Sequence, residues 1–208
     1  MAVSRLSQST LQNAFPKYNS AWDGVSAVGS MEAISSITLS AARANVEFNN
    51  IPQTYTHLQL RRSCQTNRSG VSSETILIRF NNDTGSNYKD HYFFGDGATV
   101  YSGSLSIGTS TAAGATSTTS ATGNPFAAAI VDILDYTNTN KYKTVRALSG
   151  FDNNSSSANQ QGYASITSGL WFKAGSGVTS DAITSLIMFP EIGTLISANS
   201  VFTLYGIK

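Results

Sequence analysis

At 208 residues the chain can hold one domain with a full-sized core and an additional arm. Its 13 Lys and Arg nearly cancel its 12 Asp and Glu, leaving a net charge of +1 and charges on only 12% of positions, where about 25% is usual. That balance removes the basic surplus on which phosphate recognition depends, so no nucleic-acid partner is expected.

The polar surface comes instead from 31 Ser, 22 Thr, 16 Asn and 17 Gly, a composition that suits strands and turns better than helices. One cysteine, Cys64, allows neither an internal disulfide nor a cysteine-based metal site. The opening MAVSRLSQSTLQNAF lacks the apolar run of a signal peptide, and no run approaches the ~20 apolar residues of a membrane helix. Synthesis in a cytoplasm, without membrane contact, is the expectation.

Residues 1–33 show no alternation. Leu11, Phe15, Tyr18 and Trp22 keep a helical spacing that Pro16 interrupts, which predicts an irregular N-terminal arm with one helical turn. A segment of this kind cannot bury its aromatic groups alone, so Phe15, Tyr18 and Trp22 are the candidate partner-binding residues, expected to attach the protein to its partner.

From 34 to 208 a period of two returns after each cluster of turn residues. Strands are predicted over 34–39, 55–62, 75–80, 91–94, 126–134, 143–151, 163–172, 183–189 and 200–207. Ile76, Ile78 and Phe80 fall on one face and Arg79 on the other. The 126–134 run is apolar at both parities, which places it in the middle of a sheet, buried on both faces. With no amphipathic helices between strands, the fold class is all-β: an antiparallel two-sheet sandwich, the jelly roll being the best single choice. Gly97 to Val131 carries no charge over 35 positions. It reads as a long surface loop, with packing against another subunit as the alternative, because an uncharged surface is cheap to desolvate.

Catalytic signals are weak. His57 and His91 each sit in a predicted strand apart from any acid pair, and no Gly-x-Ser-x-Gly elbow occurs. Asp132 and Asp135 should face opposite sides, while Asp83, Asp90 and Asp96 could converge across a hairpin. No enzyme activity and no cofactor or metal are expected. The run Asn81 to Asn87 is oxygen-rich like a calcium loop but lacks the later bidentate Glu, so it reads as a hairpin turn. Arg61, Arg62 and Arg68 form the one local basic cluster, read as a solvated strand end. Tyr88, Tyr92, Phe93 and Phe94 could form a sugar-stacking platform. Alternation instead gives Tyr92 and Phe94 one face and Phe93 the other, as in a core.

Six phrases, in this order, carry a family likeness: NIPQTYTHLQLR from Asn50, IRFNNDTGSNY from Ile78, KYKTVR from Lys141, SGLW from Ser168, DAITSL from Asp181 and FTLYGIK from Phe202. Over residues 34–208 the chain resembles a β-rich module of tailed-bacteriophage virion proteins, common in phages of cyanobacteria and other aquatic hosts. The resemblance implies a structural protein without enzymatic activity that forms a homotrimer. Two placements follow from it. The first is a capsid decoration, or cement, protein on the virion surface, bracing the major capsid protein. The alternative is a tail-fibre or tail-borne module that recognises a host surface glycan. The short arm favours the first, since a fibre needs a shaft or a sizeable attachment domain before its tip.

Overall fold

The computed structural model describes residues 30–153, 156, 162–172 and 180–208, without the side chains of 105–107. The arm residues Phe15, Tyr18 and Trp22 and the predicted helical turn lie outside the described residues.

Twelve strands follow one another: β1 (Met31–Thr38), β2 (Val46–Phe48), β3 (His57–Thr66), β4 (Ser73–Phe80), β5 (Tyr88–Gly95), β6 (Val100–Gly108), β7 (Thr111–Thr118), β8 (Ala127–Leu134), β9 (Lys143–Asp152), β10 (Gly162–Trp171), β11 (Leu186–Pro190) and β12 (Val201–Ile207). No helix occurs among the described residues, so the all-β class is correct. Alternating burial follows the sequence pattern. In β4, Ile76, Ile78 and Phe80 are fully buried while the residues between them are half-exposed.

The strands form one open mixed sheet ordered β2-β11-β4-β7-β3-β8-β9-β10-β5-β6, with β12 beside β3 and β1 beside β12. β3 changes neighbours along its length. Leu58 to Cys64 pair antiparallel with β8, whereas Gln65 and Thr66 pair parallel with Ser117 and Thr118 of β7. That parallel step departs from the purely antiparallel expectation. β7 also pairs antiparallel with β4 and packs against β8, β9 and β10.

β2, β6 and β7 are strands the alternation did not reveal. The uncharged stretch from Gly97 is therefore not a loop: it supplies β6 and β7. β7, TAAGATST, is buried at every position and carries no bulky apolar group, because it lies directly on a neighbouring layer. The Ala115 N–H donates to Ser149 Oγ at 2.8 Å, and a Cβ on Gly114 would stand 2.7 Å from that same oxygen. Gly114 also takes a φ of +91°, in the left-handed region that glycine alone enters freely. It belongs to a bulge in which Ala113 and Gly114 together face Ile76, between the pairs Thr75 with Ala115 and Leu77 with Ala112.

The close approach is also visible from β10. A Cβ on Gly169 would fall 2.0 Å from Thr111 Oγ1 of β7. Gly169→Ala is therefore expected to lower stability by about 1–3 kcal/mol through overpacking. Urea denaturation checks this, and an unchanged midpoint would show that the layers can separate freely.

Candidate functional site

The outer side of β8, β9, β10 and β5 carries an apolar row set by strand register. Ile130 of β8 pairs with Leu148 of β9, Leu148 with Ile166 of β10, and Ile166 with Phe93 of β5. All four side chains point to solvent, with relative exposures of 40, 58, 48 and 51%. β8 does lie mid-sheet, between β3 and β9, but only one of its two apolar faces is buried, which corrects the expectation for 126–134.

The neighbouring outward row, Ser63, Ala128, Gly150, Ala164 and Gly95 in register, is made of small residues, so the ladder stands above a shallow step. On the other side runs a polar row. Asp132 accepts from Gln59 Nε2 at 2.9 Å and from Arg146 Nη2 at 2.7 Å, and the Arg61 Nε–H donates to Gln59 Oε1 at 2.9 Å with its guanidinium over the Tyr205 ring. A contiguous apolar row flanked by small residues on one side and paired charges on the other has features of a protein-docking face: an apolar strip that is cheap to desolvate beside a polar edge.

The other sequence candidates separate. The Arg61 and Arg62 pair splits across the two faces of β3: Arg61 is exposed and Arg62 is buried at 3% exposure. Arg62 Nη1 donates to Cys64 Sγ at 3.0 Å, and Nη2 lies 3.1, 2.9 and 2.9 Å from the carbonyl oxygens of Ala113, Gly114 and Ala115. It holds the bulge of β7 and makes no ion pair among the described residues. Nothing in the pattern of β3 distinguished it from a solvated arginine.

Asp83, Asp90 and Asp96 do not converge. Asp90 accepts from the Ala112 N–H of β7 at 2.8 Å, and Asp96 caps its own turn through the Ala98 and Thr99 N–H groups. Asp83 receives N–H donors from Gly85, Asn87 and, at 2.7 Å, Trp171 Nε1. A carboxylate ringed by N–H groups is arranged as a turn lock rather than as a cation ligand. Its loop is not a hairpin, since β4 and β5 are not paired: it carries the chain from one part of the sheet to another. Among the described residues no three His, Cys, Asp or Glu side chains stand close enough to share a metal. His57 Nδ1 accepts the Asp135 N–H at 2.9 Å, a turn contact, and His91 faces solvent on the polar row.

Tyr92 and Phe94 do share the inner side, with near-parallel rings 5.9 Å apart, while Phe93 joins the outer ladder. Burial raises the pKa values of the Tyr88, Tyr136 and Tyr163 hydroxyls. These groups hold their protons in the folded state after the unfolded chain has lost them. The stability they contribute is complete below about pH 10 and falls as the pH rises through the raised values. Lys143, whose pKa is lowered mainly by burial, acts in the opposite direction, as stability gained on the way up to the ordinary lysine value. With three tyrosines against one lysine, the melting temperature is expected to fall steeply above about pH 10. A spectrophotometric titration should show at least these three phenols ionising only as the protein unfolds. Smooth ionisation of all nine tyrosines without unfolding would contradict this.

No protein-family model matches the chain, and no curated protein matches it.

Proposed function

We propose that the chain is a structural subunit of a tailed-bacteriophage virion, a capsid decoration protein that assembles as a homotrimer and braces the major capsid protein at the particle surface. The observation that carries the reading is the in-register ladder Ile130, Leu148, Ile166 and Phe93, an apolar row left open to solvent on a chain with few charges. In this proposal the ladder is the contact between subunits, and the segment bearing Phe15, Tyr18 and Trp22 anchors the trimer to the shell. The phrase-level resemblance to phage virion modules supports the same reading. A two-layered sandwich of jelly-roll type belongs to the proposal too, supported by the packing of β7 on the inner side of β8 to β10. Repetition on a symmetric shell makes a modest single contact effective through avidity.

Copy number tests the placement. Quantitative mass spectrometry of purified virions should find on the order of hundreds of copies, as expected for a repeated shell contact. About a dozen copies would instead favour the tail-borne module. A variant starting at Ser30, which keeps all of β1, should still trimerise but fail to bind undecorated particles. Binding as tight as that of the full chain would remove the anchoring role from Phe15, Tyr18 and Trp22.

A further inference from the structure

The strands that carry the outer ladder belong to a run β1-β12-β3-β8-β9-β10-β5-β6. Among the described residues β1 pairs only with β12 and β6 only with β5, so these two strands are the edges of the run. An edge strand presents unpaired N–H and C=O groups to any chain that can align with it, and proteins blunt it with brevity, charge or proline. β2, the edge at the far end of the strand order, shows such protection: it has three residues with Glu47 at the centre.

β6 and most of β1 lack it. β6 is VYSGSLSIG, nine residues without charge or proline. Its pairing with β5 is regular from Val100 to Leu105, and the one register shift falls beyond Leu105. Tyr101, Ser102 and Ser104 are exposed. In β1 the stretch Ala33 to Thr38, AISSIT, is also uncharged, with Ala33, Ser35, Ser36 and Thr38 exposed. Each edge thus offers six regular, uncharged residues.

Strand direction decides what fits them. Every neighbouring pair from β12 to β6 is antiparallel. β1 is antiparallel to β12 as well, since Ser36 Oγ lies 2.9 Å from Thr203 Oγ1 while the Leu39 N–H donates to the Ser200 carbonyl at 2.9 Å. Eight alternating strands leave β1 and β6 running in opposite directions. Rotation about an axis along the strands preserves direction, so β6 of one copy meets β1 of the next antiparallel, the more stable type of ladder. Two unlike edges meeting head to tail make a heterologous contact, the kind that closes into rings. β6 against β6 would need a two-fold axis and would stop at a dimer.

We propose that the homotrimer is joined head to tail by sheet continuation, the β6 edge of each copy pairing antiparallel with the β1 edge of the next, with the three outer ladders turned toward the common axis. The inference rests on the trimer reading and adds a backbone ladder to the subunit contact.

Cysteine pairs in the full chain test it. Ser36→Cys on β1 is combined in turn with Val100→Cys, Ser102→Cys or Ser104→Cys, which lie opposite Gly95, Phe93 and His91 on the outer side of β6. Cys64 is fully buried and takes no part. Within one copy the paired positions are separated by the whole width of the run, about 30 Å, so a short bismaleimide can join them only between copies. Denaturing electrophoresis should show at least one pair cross-linked to two and three times 22.0 kDa and no further, while each single variant stays at one times that mass. Light scattering on the same samples separates this inference from the trimer reading. A trimeric mass with no cross-link in any pair, or with cross-linking of a single β6 variant, would overturn the edge pairing and leave the trimer in place. Bands beyond three copies would overturn ring closure in favour of an open filament. A monomeric mass would remove the trimer and the edge pairing together.

Discussion

Replacing Arg62 with alanine is expected to cost about 2–5 kcal/mol of folding stability, the range for truncating a large buried side chain and leaving its buried acceptors unpaired. The guanidinium is buried between β3 and β7, and its Nη2 serves the carbonyls of Ala113, Gly114 and Ala115 at the bulge. Truncation removes those donors and also opens a cavity beside Cys64. Arg62→Met separates the two contributions, since it fills most of the volume without supplying hydrogen bonds. Urea denaturation should place the methionine variant between the parent and the alanine variant. Buried ion groups have been replaced by apolar ones without loss elsewhere. A methionine variant as stable as the parent would therefore mean that the desolvation of Arg62 cancels its bonds to the bulge.

The second large effect is on assembly. Introducing Leu148→Asp and Ile166→Asp together places two charges at the centre of the outer ladder, where both side chains already face solvent. The monomer should still fold, losing about 1–2 kcal/mol because the two carboxylates stand directly opposite each other across β9 and β10. A charge at the dry centre of an interface must be desolvated without a partner, which costs several kcal/mol and should abolish association. Light scattering is expected to give about three times 22.0 kDa for the parent and one times that mass for the variant. A variant that stays trimeric would move the subunit contact off this face, and a monomeric parent at micromolar concentration would remove the trimer altogether.

Much of the fold was legible because alternation is a local property. Ile76, Ile78 and Phe80 face inward together, as do Tyr92 and Phe94, because successive strand residues point to opposite sides whatever the rest of the chain does. Parity could not say which apolar face finds a covering layer. Ala127 and Val131 are buried while Ile130 is 40% exposed on the same strand, because only the inner side of β8 meets β7.

The residues that make the candidate sites interesting depend on contacts between distant segments. Arg62 looked like its neighbour Arg61 until β7 brought three carbonyls to it from about fifty residues away. TAAGATST looked like a loop because a strand pressed between layers needs small side chains, and those carry no period to read. Composition and alternation alone determined an all-β, nearly neutral chain with little helix-forming character. Register across β8, β9, β10 and β5, and the packing of β7 beneath them, decided which apolar groups stayed open and which were covered. Those outcomes depend on pairings between residues far apart in the chain, which no local pattern encodes.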